Sequence, residues 1–329
     1  MSRVPATTAA PAGGPLRYVL IASNAYSGST LLSFLLGQHP DIATISDVSG
    51  TRRKGQMETF ACSCGLLMQT CTFWQGIREA MRLRGYDDFR LEDFELGFDG
   101  GRPQWLSQLR ARSLRWTALE ELRDRVFLAL GSGPHLADIG ARNLAFAEAV
   151  LSETGRQIFV DASKERTRVR FLSRYLHADL RVIHLVRDVR GVVDSTLRHG
   201  NQPLTAIQAA RRWERTNATI MRNLSAVPAN RQVTIRYEDL CRDLDGSLAT
   251  LFGLCGVEPM TWMGDDFRTN QHLLGNPMRL GGRGDVSLDE RWRSRLSVAE
   301  QCRIIRAAGW VFRRLYADER QPTGIVRHA

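Results

Sequence analysis

The sequence predicts an α/β fold, a three-layer arrangement in which helices cover both faces of a parallel sheet. Apolar runs with β-branched residues read as strands, helical patterns follow most of them, and a small, Gly-containing turn joins the first strand to the first helix. This alternation is typical of parallel sheets. The predicted strands are residues 18–22, 42–45, 157–162, 181–186 and 231–237.

The helical patterns and the remaining segments define the domain organisation. Between the second and third strands lies a long, Arg-rich insert, residues 66–155, which we expect to be helical. Residues 1–15, rich in Ala, Pro, Gly and Thr, predict a disordered tail, and residues 16–329 predict one domain that carries the insert. The predicted helices are residues 31–36, 166–177, 189–198, 206–224, 244–255 and 298–316.

The charge is basic and comes almost entirely from arginine. The formal net charge is +10, and of 45 basic residues only Lys54 and Lys164 are lysines. Basic charge suits an anionic ligand, but here it is dispersed rather than gathered into a run with interleaved aromatics. We therefore expect no nucleic-acid partner, and each retained lysine becomes a candidate for a specific role.

The apolar segments and the cysteines bear on location. No apolar run reaches the length that spans a bilayer, and the first residues lack the apolar core of a secretory signal. The six cysteines form no evident disulfide framework, so we expect a reduced, cytoplasmic protein. The sequence leaves its oligomeric state open.

The turn at residues 23–30 predicts an anion site. A strand, a short turn and a helix N-terminus aim backbone N–H groups and a positive dipole end at one point, an arrangement that most often binds phosphate. The loop is not that of nucleotide triphosphatases, because Ser29 stands where that motif requires a lysine before the hydroxyl residue Thr30. A kinase or an ATPase is accordingly disfavoured.

A second anion anchor is predicted after the fourth strand. Arg187 ends that strand and Ser195 lies two turns into the next helix, so a guanidinium and a hydroxyl could converge on a second phosphate. The competing interpretation is a surface arginine paired with Asp188 or Asp194.

With both anchors in place, the chain resembles the sulfotransferases that use 3′-phosphoadenosine 5′-phosphosulfate (PAPS). The resemblance rests on S-G-S-T at 27–30 and on Arg187 and Ser195. It extends to the bacterial, carbohydrate-type branch through H-P-D at 39–41, C-S-C-G and C-x-F-W within 62–74, D-A-S-K at 161–164 and H-L-L-G-N-P-M-R at 272–279. It covers roughly residues 17–316 and includes a distant similarity to protein tyrosine sulfotransferases.

The resemblance implies a P-loop-like sulfotransferase fold and a set of donor-binding residues. The loop Tyr26, Ser27, Gly28, Ser29 and Thr30 would bind the 5′-phosphosulfate, and Arg187 with Ser195 the 3′-phosphate. The Gly-rich loop at 275–284 resembles a segment that closes over the 3′-phosphate, which makes Arg279 and Arg283 further candidates.

One departure from the family pattern concerns the transferring group. Many members carry Lys or Arg where this chain has Tyr26, so another cation should stabilise the sulfuryl group. Lys164, at the end of the third strand, is the candidate, as protein tyrosine sulfotransferases carry a lysine at a similar place. The competing interpretation is an exposed lysine at a helix start.

The acceptor hydroxyl requires a general base. Asp47 follows the second strand at the place where tyrosine sulfotransferases carry their catalytic Glu, although its surroundings would have to make it more basic than an ordinary Asp. It could instead be a loop or capping residue. His39, His199 and His272 are rivals, and His272 is the strongest of them.

The cysteines Cys62, Cys64 and Cys71 could supply three ligands to Zn²⁺, but their spacing matches no common zinc motif and the sequence offers no evident fourth ligand. Reduced structural thiols are the favoured interpretation, and we expect no metal requirement.

The prediction is a PAPS-dependent sulfotransferase that moves a sulfuryl group to the hydroxyl of a small-molecule, lipid or carbohydrate acceptor. One alternative is a P-loop-like small-molecule phosphotransferase, which would need a Mg²⁺ site. The other is a nucleotide-binding protein without catalysis, in which Tyr26 marks a lost activity. The identity of the acceptor is not readable from the sequence.

Overall fold

A parallel sheet of five strands organises the chain. In the computed structural model, the described residues are 15–47, 60–91, 94–98, 104–112, 114, 116–200, 202–261, 272–275 and 286–317. The strand order is β2-β3-β1-β4-β5, and every neighbouring pair is parallel. The strands are β1 Arg17–Ser23, β2 Ile42–Ser46, β3 Ile158–Asp161, β4 Asp179–Val186 and β5 Gln232–Arg236.

The five predicted strands and the helices between them are confirmed, with boundaries that differ by a few residues. The predicted disordered tail lies outside the described residues, except for its last position. The helices are α1 Ser29–Gly37, α2 Thr72–Leu83, α3 Gln104–Ala111, α4 Thr117–Phe127, α5 Gly133–Thr154, α6 Arg168–Tyr175, α7 Val189–His199, α8 Ala206–Asn223, α9 Tyr237–Arg242, α10 Leu244–Cys255, α11 Trp292–Arg295 and α12 Val298–Leu315.

Alternating side chains of the strands build a core on each face of the sheet. On one face, Tyr18 and Leu20 of β1 pack with Phe146 of α5. On the other face, Val19 and Ile21 of the same strand pack with residues of α1 and α10. Because both faces are covered, the strands read as continuous apolar runs. Among its described residues, the insert between β2 and β3 contains the helices α2 to α5, together with non-helical stretches at 84–90 and 94–98.

The strand order predicts a ligand crevice at the carboxyl edge of the sheet. The connection that leaves β1 runs towards β2, whereas the connection that leaves β4 runs towards β5 on the opposite side. In open α/β sheets, such a divergence between adjacent strands opens a ligand crevice beyond their carboxyl ends. Within the described part of the chain, no helix combines the length and the apolar character needed to cross a bilayer.

Candidate active site

The candidate residues follow the strands in the order of the sheet. Asp47 comes after β2, Lys164 after β3, the loop 24–28 after β1, Arg187 after β4 and Tyr237 after β5. Since parallel strands end at one edge and neighbours lie about 4.8 Å apart, these residues form a single row. The fold thus brings the predicted site residues of four separate segments to one edge.

Gly28 determines the shape of the first loop. It occupies the N-cap of α1 with φ 89°, a left-handed conformation that favours glycine, and it supplies no side chain to cap the helix. A Cβ atom at this position would lie 2.6 Å from Cδ2 of Tyr237. The loop is therefore packed closely against the start of α9, and the first-turn N–H groups of α1, at Ser29 and Thr30, begin directly after it.

Four serine hydroxyls near this edge have no hydrogen-bond partner in the part of the chain that the structure describes. Ser27 is fully buried, and its Oγ has no partner among the described residues. The same holds for Oγ of Ser23 at the end of β1, of Ser46 at the end of β2 and of Ser163 after β3. Because buried hydroxyls are normally paired, these atoms fit an edge that receives a polar ligand.

Tyr26 connects the loop to the next helix pair. Its φ is 65°, and its hydroxyl donates a hydrogen bond of 2.7 Å to the carbonyl of His199 at the end of α7. Burial raises the pKa of this phenol above its ordinary value. A neutral phenol, that of Tyr26, therefore occupies the position where many family members carry a cation.

Arg187 contacts the first loop directly. Its Nη1 donates to the carbonyl of Tyr26 at 3.1 Å, and its Nη2 donates to Oδ2 of Asp289 at 3.1 Å. The guanidinium also lies 4.8 Å from the ring centroid of Tyr237. Trp213 Nε1 donates to the carbonyl of Arg187 at 3.0 Å and fixes its backbone, as a buried core residue.

The competing interpretation of Arg187 as a surface residue paired with a neighbouring aspartate is wrong. Arg187 is 7% exposed. Asp188 pairs instead with Arg190 at 2.5 Å, and Asp194 pairs with Arg198 at 2.8 Å. Ser195 is buried within α7, eight residues after Arg187 along the same connection. Arg187 thus lies beside the first loop, and Ser195 lies in the helix that follows it.

Lys164 and Asp47 form an ion pair. Nζ of Lys164 donates to Oδ2 of Asp47 at 2.6 Å, and both side chains are largely buried, at 16% and 8% exposure. The interpretation of Lys164 as an exposed lysine at a helix start is therefore wrong. Because β3 lies between β2 and β1, Lys164 stands between the strand that carries Asp47 and the strand that carries the anion loop.

A buried network that the sequence analysis missed supports the turn before Lys164. Asp161 accepts a hydrogen bond from the backbone N–H of Ser163 at 2.8 Å and pairs with Nε of Arg168 at 2.5 Å. Arg168 also donates to the Tyr18 hydroxyl at 2.8 Å. Although burial opposes it, the Asp161 carboxylate raises the pKa of Arg168 above its ordinary range. A fixed Asp161 holds the D-A-S-K turn in one conformation.

His272 lies in a segment that docks beside Asp47, but its ring faces sulfur atoms. The backbone N–H of Leu274 donates to the carbonyl of Ile45 at 2.9 Å, which extends the sheet edge at β2. Nδ1 of His272 lies 3.4 Å from Sγ of both Cys62 and Cys71. Burial lowers the pKa of this imidazole.

The other two histidine candidates for the general base, His39 and His199, lie at or just beyond the ends of α1 and α7. The backbone N–H of Asp41 donates to Nδ1 of His39 at 3.1 Å, and Nε2 of His39 faces the carbonyl of Glu258 at 3.2 Å. His199 is exposed at the last position of α7. Arg279 and Arg283 lie outside the described residues, so their predicted contacts with the donor stay predictions.

The sheet, its helices and the anion loop define an α/β protein of the P-loop-like class. A model of the sulfotransferase family matches residues 19–261. The chain therefore belongs to the sulfotransferase family, as its motifs predicted. No curated protein matches the chain.

The chain is similar to several solved sulfotransferase structures at low sequence identity. The sulfotransferase domain of the Synechococcus PCC 7002 olefin synthase is 21% identical, with a TM-score of 0.50, over 91% of this chain and 95% of that one. The sulfotransferase domain from the curacin biosynthetic pathway is 19% identical, with a TM-score of 0.46, over 89% and 96%. A sulfotransferase from Mycobacterium avium is 13% identical, with a TM-score of 0.43, over 90% and 76%. The first of these likenesses shows a shared fold.

Proposed function

We propose that the protein transfers the sulfuryl group of PAPS to an acceptor hydroxyl. The observation that carries this proposal is the contact between the two anion anchors, in which Arg187 Nη1 donates to the carbonyl of Tyr26 at 3.1 Å. The protein would thus offer a ligand two separate anion-binding ends, one rich in backbone N–H groups and one carrying the guanidinium of Arg187. PAPS has a 5′-phosphosulfate and a 3′-phosphate, and both are anionic.

The first loop would hold the 5′ end of the donor. The N-terminus of α1 supplies backbone N–H groups and a favourable dipole end. The unpartnered, buried hydroxyl of Ser27 supplies a further donor at the same loop. Gly28 keeps the backbone close to Tyr237 and leaves no side chain in the way, as the 2.6 Å approach to the ring requires.

The second anchor would hold the 3′-phosphate. A guanidinium fork binds phosphate with charge-assisted hydrogen bonds, and the Ser195 hydroxyl would add a donor. Asp289 accepts a hydrogen bond from Arg187 at 3.1 Å. Its carboxyl is anionic, because a hydrogen bond from Arg291 is the main cause that holds its pKa low. Arg279 and Arg283 complete this anchor in the proposal.

The chemical step would be an in-line displacement at sulfur. The acceptor oxygen forms a bond to sulfur, the bond from sulfur to the phosphate oxygen breaks, and adenosine 3′,5′-bisphosphate leaves. Asp47 would accept the proton of the acceptor hydroxyl. Its ion pair with Lys164 keeps it in the ionised, proton-accepting form, but does not supply the added basicity expected from the sequence. Lys164 has three N–H donors, so it can keep its bond to Asp47 while it stabilises charge on the transferring group. No step of this scheme uses a metal ion.

The acceptor would enter from the side of β2, since Asp47, the proposed base, stands at that end of the row. His272 is the second candidate for the general base, because its segment pairs with the end of β2. Its contacts with two sulfur atoms argue for another role, so we assign the role of general base to Asp47.

Calorimetry and product analysis test the proposal together. We expect adenosine 3′,5′-bisphosphate to bind without Mg²⁺ and Mg-ATP to bind far more weakly, and we expect mass spectrometry to find sulfated products when PAPS is added to a cell extract. A preference for Mg-ATP would indicate the phosphotransferase instead. Tight binding of the bisphosphate with no turnover over a broad acceptor panel would indicate a non-catalytic binding protein.

A further inference from the structure

Three cysteines and a histidine converge outside the candidate active site. Cys62, Cys64, Cys71 and His272 each offer one ligand atom, and these four atoms all lie within 4.8 Å of one another. His272 is 201 residues away from Cys71 along the chain. Three ligands are therefore visible in one segment of the sequence, and the fold supplies the fourth from a distant one.

Three of the six distances between ligand atoms match the edges of a tetrahedron around one metal ion. Zn²⁺ with bonds of about 2.3 Å to sulfur and about 2.0 Å to nitrogen sets sulfur–sulfur edges of about 3.8 Å and sulfur–nitrogen edges of about 3.5 Å. Here Sγ of Cys64 and Cys71 are 3.7 Å apart. Nδ1 of His272 lies 3.4 Å from Sγ of Cys62 and from Sγ of Cys71.

Hydrogen bonding alone does not account for this arrangement. A neutral imidazole nitrogen offers either one lone pair or one N–H, so Nδ1 can make one good hydrogen bond, yet two sulfur atoms lie at the same distance from it. A disulfide would require Sγ atoms about 2.05 Å apart, and the six cysteines are free.

The backbone around the cluster is built to present these ligands. Cys62 and Cys64 lie in a tight turn, where the N–H of Gly65 donates to the carbonyl of Cys62 at 3.0 Å and Gly65 adopts φ 89°. Cys71 is the N-cap of α2, so its side chain lies at the start of that helix. The His272 ring stacks on Phe73 of the same helix, with centroids 4.4 Å apart, and this contact fixes its orientation.

We propose that Cys62, Cys64, Cys71 and Nδ1 of His272 bind one structural Zn²⁺ ion. Four protein ligands close the coordination shell, which is the pattern of structural zinc sites and leaves no position for a substrate. Soft thiolates with one imidazole in a tetrahedron select zinc over harder cations. The proposal departs from our expectation that the protein needs no metal.

The metal would connect the insert to the edge that carries Asp47. Ser63, between two of the ligands, accepts a hydrogen bond of 2.7 Å from the backbone N–H of Leu273. Leu274 in turn pairs with the end of β2, and a Cβ on Gly275 would lie 3.2 Å from Cβ of Asp47. Zinc would thus hold the start of the insert and the segment 272–275 beside the proposed base.

Metal analysis of the purified full chain tests this directly. We expect about one zinc per chain by mass spectrometry, because the site takes a single ion. Loss of an outer-shell partner already costs about 10–100-fold in metal affinity, so loss of a ligand in Cys64→Ser or His272→Ala should lower the affinity for zinc at least as much and leave the purified variant with less than one zinc per chain. Cys302→Ser in α12 removes a thiol outside the cluster and should retain the metal.

A second measurement does not depend on the variants folding. After chelation, the wild-type chain should take up Co²⁺ with a thiolate-to-cobalt charge-transfer band, and Zn²⁺ should displace it and restore the original Tm. A wild-type chain that neither contains nor takes up zinc or cobalt overturns the proposal. So does a Cys64–Cys71 disulfide in the thiol-blocked protein, or full zinc occupancy in His272→Ala. These readouts need no PAPS, so they stand or fall separately from sulfuryl transfer.

Discussion

Nζ of Lys164 lies 2.6 Å from Oδ2 of Asp47, and the pair joins the turn after β3 to the turn after β2. A cation and a carboxylate that were proposed for two separate roles are therefore in direct contact. The pair lies at the same edge as the anion loop, which follows the neighbouring strand β1.

Lys164→Ala should abolish most turnover. Removal of one donor aimed at developing transition-state charge costs about 10²–10³ in kcat, and we expect a loss of that order or greater. The measurement is kcat with saturating PAPS, alongside Tm. Lys164→Arg, which keeps the positive charge, is the matched control and should retain more activity than the alanine variant. Near-native turnover in Lys164→Ala would discard the assigned role.

Asp47→Asn should remove the general base while it preserves shape. We expect kcat to fall by about 10²–10⁴, as is typical for loss of a general base, and the decline in rate towards acidic pH to disappear from the residual activity. The measurement is a pH–rate profile of this variant beside His272→Ala, with Tm and zinc content recorded so that loss of a base is separated from loss of the metal. Unchanged activity in Asp47→Asn, with the acidic decline lost in His272→Ala, would transfer the role to the histidine.

Gly28→Ala should damage the anion loop through two separate costs. Left-handed backbone costs a residue with a Cβ about 1–2 kcal/mol, and the new methyl would collide with the Tyr237 ring at 2.6 Å. Gly85→Ala isolates the first cost, since Gly85 has φ 86° and nothing within 4 Å of its Cβ position. We expect the Gly28 variant alone to lose affinity for adenosine 3′,5′-bisphosphate. Equal effects of the two substitutions would refute the close packing of this loop.

The burial of His184 predicts that the folded protein loses stability in mild acid. It is fully buried in β4 beside Asn217, and burial lowers the pKa of its imidazole to about 4. As pH falls below about 6.5, the unfolded chain takes up a proton that the folded chain refuses until about pH 4, so stability drops across that window by up to about 3 kcal/mol. Urea titrations at pH 7 and pH 5 should show a smaller drop in His184→Gln. An identical pH dependence in the variant would contradict this.

The sheet was predictable because its strands are short apolar runs that carry their own signal. Residues directly after those strands, such as Asp47 and Arg187, were predictable as site candidates because a parallel sheet gathers them at one edge. The contacts that those residues make were not predictable from the sequence. That Arg187 pairs with Asp289 rather than with its neighbour Asp188 depends on a segment 102 residues away.

The supporting residues were also beyond reach of the sequence. Nothing in the chain marks Tyr237 as the ring that covers Gly28, or Arg168 as the partner that fixes Asp161, because both contacts arise from packing between distant elements. The surroundings of His272 were equally unpredictable. Its sequence motif made it a rival candidate for the general base, and the fold places it against Cys62 and Cys71.

The central claim is that one adenine donor is held at both of its anionic ends, and a calorimetric cycle tests it most directly. Adenosine 3′,5′-bisphosphate and adenosine 5′-phosphate are titrated into the wild-type chain, Arg187→Ala and the control Arg198→Ala. Hydrogen bonds to charged groups contribute about 1.5–3 kcal/mol, so the wild-type chain and the control should prefer the bisphosphate by about 10–100-fold, and Arg187→Ala should lose most of that preference. Equal affinity of the wild-type chain for the two nucleotides would contradict the account.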